Sequence, residues 1–343
     1  MSYMKKLISV VLSFIMTAMF FSGCNSKSNR EITVYTAVED NLIEEYIQGF
    51  NKVNSDIKVN IVRGSTGDIT SKLLAEKDKP VADVVWGLAA TSLIVLDETE
   101  LLKPCKVEGL KNINPKFIDT KNKEPHWIGL SLWTNAITAN LEEMKNKGVE
   151  IPKSYKELLK PEYKNQISMP NPASSGTGFM FVSCLIQSLG EKEAWSYLDK
   201  INESMRVYEH SGMGPIKSTE MGEQFIGLGM GGESLLEEKK HKQIKTFFPK
   251  EGLAWDIDGL GIINKENVND DAEKFVNYIL SDEAMEIEAK SRNRIVTLKN
   301  PITIEGYPKN VVDMLFKNDL NWASNNKSKI IEEWNKRYSV NKK

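Results

Sequence analysis

Residues 31–91 read EITVYTAVEDNLIEEYIQGFNKVNSDIKVNIVRGSTGDITSKLLAEKDKPVADVVWGLAAT, and two periodicities alternate along this stretch. Ile32 to Thr36, Val59 to Val62 and Ala82 to Trp86 are short runs rich in β-branched residues and read as strands. Between them, Asn41 to Val53 places Leu42, Ile43, Tyr46, Ile47 and Phe50 at helical spacing, and Thr66 to Asp78 reads as a second helix. The order βαβαβ predicts parallel strands joined by helical crossovers. Ligands of such sheets bind beyond the carboxyl ends of the strands. Here those ends are Tyr35-Thr36-Ala37, Gly64-Ser65-Thr66 and Gly87-Leu88-Ala89-Ala90-Thr91, all rich in small or hydroxyl residues.

Working outward, a second α/β series is expected from about Asn135 to Trp255. It holds a short helix at Ser154–Lys160, a strand at Gln166–Met169, and helices at Thr177–Leu189 and Glu191–Asn202. Strands follow at Gln224–Leu228 and Ile244–Phe248. A returning strand over Trp255–Asn264 and one helix over Asp271–Ala289 complete the pattern. With no repeat or low-complexity linker between the series, the two lobes are expected to be joined by strands crossing near Leu130–Ala139 and Asp256–Ile263. A cleft between lobes is a natural place for a ligand.

The chain has 343 residues with 45 Lys+Arg against 47 Asp+Glu, a formal net charge of -2. That balance suits a folded soluble protein and argues against a polybasic nucleic-acid binder. Lysine outnumbers arginine 39 to 6. The only long apolar run lies at the N-terminus, where Lys5 and Lys6 precede Leu7 to Phe21 and then Ser22-Gly23-Cys24. This pattern reads as a signal peptide over residues 1–23. The small residues before Cys24 resemble a bacterial lipobox, with Phe21 where leucine is usual. Lipidation at Cys24 would leave residues 24–30 as a polar tether and hold the protein at the outer face of the cytoplasmic membrane. Cys105 and Cys184 then remain, expected as two free thiols, one of them buried.

The densest chemical signal is Pro170-Asn171-Pro172-Ala173-Ser174-Ser175-Gly176-Thr177-Gly178, between a strand and a helix. Unpaired N–H groups of the first helical turn, hydroxyls and the positive helix end together form an anion site; equally, Ser174 or Ser175 could simply cap the helix. A second small-residue loop, Ser211-Gly212-Met213-Gly214-Pro215, opens another helix and could present donors or be an ordinary turn. In a third cluster around Trp255-Asp256, the indole could cover a ligand and Asp256 or Glu251 could meet a cation; a core tryptophan with solvated acids reads the same way. Neither a Walker loop nor a dinucleotide fingerprint is present. Of His126, His210 and His241, only His210, beside the glycine loop, is placed for general-base chemistry. No nucleophile has an evident activating partner, so an enzyme is not expected and neither a cofactor nor a metal is implied.

Several of these stretches together resemble the solute-binding proteins of bacterial ABC importers. They are Tyr35 to Asp40, Gly64 to Gly67 with Lys72 to Lys77, Ala82 to Ser92, Met169 to Gly178, Tyr208 to Gly212, Trp255-Asp256, and Asn321 to Asn326 with Ile330 to Trp334. The nearest form is the branch of the iron(III)-binding-like group named for 2-aminoethylphosphonate. The resemblance implies an α/β, two-lobe class-II periplasmic binding protein fold with a ligand cleft between lobes. Lobe 1 would comprise 31–134 plus 257–343 and lobe 2 135–256. It also implies capture of a small anionic solute, first of all 2-aminoethylphosphonate, and delivery to a permease served by a separate ATPase.

The implied ligand contacts are Ser174, Ser175, Gly176 and Thr177, closed over by Thr36, Ser65, Thr66, Ala90 and Thr91, with Tyr35, Ala37, Ala89, Ser211 and Gly214 nearby. An amine would take Glu39 or Asp256 with Trp86 or Trp255. Iron-binding relatives carry a histidine in the first loop and a Tyr-Tyr pair; here Glu39 occupies that loop and no Tyr-Tyr occurs. Ferric iron is thereby disfavoured. Iron, polyamine, phosphate or a phosphorylated sugar stay open as ligands, as do a surface hydrolase of phosphorylated compounds and an adhesive lipoprotein as functions.

Overall fold

The structure, a computed structural model, describes residues 30–299 and 304–338. The expected signal peptide, Cys24 and most of the tether lie outside them. Arg30, counted with the tether, instead opens the first strand, where it pairs with Asp56 and Asp271. No helix among the described residues is long and apolar enough to cross a membrane.

The first strands and helices are β1 (Arg30–Thr36), α1 (Asp40–Val53), β2 (Ile57–Arg63), α2 (Thr66–Ala75), β3 (Val84–Ala89), α3 (Ala90–Glu98) and β4 (Leu102–Lys103). Strand β1 lies between β2 and β3, parallel to both, as the alternating pattern predicts. Apolar side chains of α1 and the strands bury together: Tyr46 and Phe50 pack edge-on against Trp86, Phe275 and Tyr278.

Next come β5 (Trp127–Asn140), α4 (Leu141–Lys147), β6 (Ile167–Pro170), α5 (Gly176–Leu189), α6 (Glu191–Asn202), β7 (Met205–Glu209), α7 (Gly214–Glu220), β8 (Ile226–Met230), α8 (Gly231–Lys240), β9 (Ile244–Phe247) and β10 (Trp255–Ile263). The chain ends with α9 (Asp271–Ile279), α10 (Asp282–Lys290), β11 (Ile295–Val296), α11 (Leu320–Asn325) and α12 (Lys327–Tyr338).

Strand β5 is buried along all 14 residues and serves two sheets. Its Trp127–Thr134 half pairs antiparallel with β10, and its Asn135–Asn140 half pairs with β8 and β9. The second crossing stands beside the first: Asn135 N–H donates to the Ala254 carbonyl, and Ala254 N–H donates to Asn135 Oδ1. Strand β10 therefore lies wholly in the first sheet, between β3 and β5, and the chain crosses just before it rather than within it.

Two further differences from the sequence pattern have local causes. The helix expected over Asp271–Ala289 breaks at Leu280–Ser281, where the Ser281 hydroxyl accepts from Ala284 N–H and caps a new helix. The segment Ser154–Lys160 forms only a single 3₁₀ turn at Glu157–Leu159. Cys105 and Cys184 are both free and both buried, in separate cores. Burial pushes the Cys105 thiol up to about 11 and that of Cys184 up to about 12, which makes them poor thiolates.

The last helix does not stay with the first lobe. Helix α11 packs on α3 of that lobe, but Ile330 and Trp334 of α12 are buried with Phe179, Leu198 and Met205 of the other. Trp334 also meets Tyr208 edge-on at 5.0 Å. The apolar face of α12 has its burial partner there, and 327–338 follows that core.

Candidate functional site

Five helices begin at one cavity between the two sheets. The residues immediately before their first turns are Glu39 (α1), Ser65 (α2), Ser175 (α5), Met213 (α7) and Met230 (α8), and all five line it. None of them caps its helix through a side-chain hydrogen bond. The simple reading of Ser175 as a side-chain N-cap therefore does not describe this loop. Helix starts concentrate unpaired N–H groups and positive potential, and five meeting at one point make a strongly anion-attracting cavity. Its volume is about 40 Å³. A water-sized group needs about 10–15 Å³ of such space, so the cavity is on the scale of a small polar group.

The lobes touch at the rim of this cavity. Gly67 N–H donates to the Ser174 carbonyl at 3.0 Å, and His210 Nε2 lies 2.7 Å from Asp68 Oδ2. A Cβ on Gly67 would stand 2.5 Å from the Ala173 oxygen, so only glycine permits this approach. Gly178 meets the same demand within the Pro170–Gly178 loop, its Cβ position lying 2.4 Å from the Pro170 oxygen.

Of the residues singled out from sequence, Ala37, Glu39, Ser65, Thr66, Ser175, Gly176, Thr177 and Ser211 line the cavity. The others are occupied elsewhere. Trp86 is fully buried in the first lobe's core. Ala89 and Ala90 are core residues too. Tyr35 donates its hydroxyl to Glu76 at 3.0 Å, and the Thr36 hydroxyl accepts from Val38 N–H. Thr91 donates to Asp256 at 2.7 Å in a buried contact, and neither residue lines the cavity. Trp255 donates from Nε1 to the Phe316 carbonyl and faces a separate recess with Trp127. Ser174 donates to the His210 carbonyl at the rim, and Gly214 begins α7 one residue beyond the lining Met213.

Sequence reasoning missed the cations. Arg63, Arg292 and Arg294 all line the cavity, as do Asp258 and Trp133. Arg292 and Arg294 are almost fully buried. Arg292 Nε lies 3.1 Å from Glu39, its Nη1 2.8 Å from Glu288 and its Nη2 2.9 Å from Asp258. Arg294 holds Asp258, and its Nε reaches Glu233 of α8 at 2.9 Å, joining the lobes. Burial alone would push Glu39 up, but the guanidinium groups of Arg292 and Arg294 reverse this and hold its carboxyl below the ordinary value. For Glu233 burial wins, and its carboxyl is raised despite Arg294. Arg63 is the least neutralised cation, half-exposed and 3.7 Å from Asp40. The available signal was scarcity: in a chain with six arginines, Arg292-Asn293-Arg294 stands out, and buried ion pairs favour arginine over lysine.

Comparison with known proteins now decides the family, because the profile of the bacterial extracellular solute-binding proteins matches residues 79–327. The chain belongs to that family. It is 26% identical over 302 residues to an uncharacterised Haemophilus influenzae protein, covering 88% of this chain and 87% of that one. It is also 26% identical over 246 residues, 66% of each chain, to a Salmonella typhimurium periplasmic protein named for 2-aminoethylphosphonate binding. Among solved structures it is similar to the periplasmic binding protein AfuA from Actinobacillus pleuropneumoniae, determined with exogenous fructose-6-phosphate bound. That match has a TM-score of 0.83 and 26% identity and covers 92% of this chain and 100% of the other. The fold is that of the two-lobe periplasmic binding proteins, and the family serves ABC importers outside the cytoplasm.

Proposed function

We propose that this solute-binding protein captures a small organic phosphate or phosphonate by closing its lobes over the anionic head, then presents it to an ABC permease. The observation that carries this reading is the convergence of five helix starts, with Arg63 and the Ser65, Thr66, Ser175, Thr177 and Ser211 hydroxyls, on one small cavity. Such donors suit a tetrahedral oxyanion. Capture needs no nucleophile or general base, and we read the protein as a carrier rather than an enzyme, lipid-anchored through Cys24.

The tail of the ligand follows from the acids. Glu39 and Asp258, the carboxylates lining the cavity, are held by Arg292 and Arg294. Asp256, Trp86 and Trp255, the other candidates for an amine site, are turned to other partners. An ammonium group would have to break an existing ion pair. A hydroxylated tail would not, which moves a phosphorylated sugar ahead of 2-aminoethylphosphonate; the fructose-6-phosphate bound to AfuA supports that order. The cavity lining contains no tyrosine among the described residues, so the phenolates suited to ferric iron are not offered.

Calorimetry with fructose-6-phosphate, 2-aminoethylphosphonate, inorganic phosphate, ferric citrate and putrescine tests the proposal. Binding of one of the first two, with fructose-6-phosphate tighter, is the expected result. Selective binding of iron or putrescine overturns it.

A further inference from the structure

On the face of the second lobe away from the cavity, Glu220, Glu237 and His241 bring one ligand atom each to within 4.8 Å of one another. Glu220 is the last residue of α7, Glu237 lies in the last turn of α8, and His241 follows its end. His241 Nε2 is 3.0 Å from Glu220 Oε1 and 3.3 Å from Glu237 Oε2. We propose that these three side chains form a binding site for a zinc-class divalent cation that ties the C-terminal ends of α7 and α8 together.

The imidazole distinguishes this group from an ordinary acidic cluster. One ring nitrogen carries at most one proton, yet Nε2 faces two carboxylates at hydrogen-bonding distance. A proton placed there serves one oxygen well and the other poorly, whereas a cation among the three serves all. Zinc takes nitrogen and carboxylate ligands at about 2.0–2.2 Å, so tetrahedral neighbours sit about 3.3 Å apart, close to the two distances observed. Lys240 occupies Glu237 Oε1 at 2.8 Å and leaves Oε2 to the site. The ends of both helices supply negative potential at the same point. All three side chains are partly exposed, so a cation can reach them. Nitrogen ligation selects zinc, nickel or cobalt over magnesium and calcium, which prefer oxygen.

The site also has a structural consequence. The residues just before α7 and α8, Met213 and Met230, line the wall of the ligand cavity, and the two helices end here. A cation would fix the spacing of two helices whose opposite ends face the solute.

The test is calorimetry and thermal denaturation of tag-free protein with zinc chloride, and with magnesium chloride for comparison. One zinc per chain, a raised melting temperature and little response to magnesium are expected. His241→Ala and, separately, Glu220→Gln should each weaken zinc at least about tenfold, the scale seen for disturbed metal sites, while His210→Ala should leave binding intact. Unchanged circular dichroism and an unchanged melting temperature without zinc show that the variants are folded. The proposal is overturned if zinc does not bind at about 100-fold excess over protein, or if its binding is unchanged in His241→Ala and Glu220→Gln.

Discussion

Gly67 N–H of the first lobe donates to the Ser174 carbonyl of the second across 3.0 Å. The bond exists only when the lobes are together, and the adjoining backbone leaves no room for a Cβ at position 67. Contacts available only to the closed state are what convert binding into closure.

Gly67→Ala should therefore weaken solute binding while barely altering the melting temperature of the unliganded protein. A loss of about tenfold or more, equivalent to about 1.4 kcal/mol, is expected by calorimetry. Undiminished affinity would show that the closed contact is not needed.

Arg63 tests the anion site with little structural side effect, because it is half-exposed and weakly paired. Arg63→Gln should reduce affinity for the phosphorylated solute and flatten its salt dependence between low and physiological ionic strength. The unliganded melting temperature should move little.

Arg292 carries a structural load as well. It is buried against Glu39, Asp258 and Glu288, so Arg292→Ala leaves buried acids without their cation. A loss of about 3–5 kcal/mol is expected in urea denaturation. Arg292→Ala with Glu288→Gln should recover part of that loss, since the second change removes one of the stranded charges.

Asp256 and Lys327, both buried, titrate in opposite windows. Burial, only partly offset by Thr91, raises Asp256 to about 6. Its folded state then holds a proton that the unfolded chain releases near the ordinary value of 3.8, so stability falls as pH rises from about 4 to 6. Burial lowers Lys327 to about 8 although Asp256 attracts it. Between about 8 and 10.5 the unfolded chain binds the extra proton, so stability rises with pH there. Each limb is worth on the order of 3 kcal/mol. Urea midpoints across pH 4 to 10.5 should show both limbs; Asp256→Asn should flatten the acid limb and Lys327→Met the alkaline one.

Local pattern determined much of this protein. The strands and helices of residues 31–91, their parallel arrangement, and the Pro170–Gly178 loop at a helix start were legible because strand and helix periodicities and helix-start chemistry are written in consecutive residues. The same reasoning grouped Ser65, Thr66, Ser175, Gly176 and Thr177, which line one cavity, since loops after parallel strands are brought to one edge by the topology itself.

Tertiary structure alone decided the rest. Trp86 and Trp255 look like ligand walls in one dimension, but side-chain direction and core packing turn both away. Asp256 is claimed by Thr91, 165 positions distant. Arg292 and Arg294 reach Glu39 across more than 250 residues of chain. The C-terminal helix leaves the lobe its sequence position suggests because Ile330 and Trp334 find their apolar partners in the other core. Burial and ion pairing depend on which surfaces meet after the chain crosses between lobes, and no local stretch of sequence encodes that meeting.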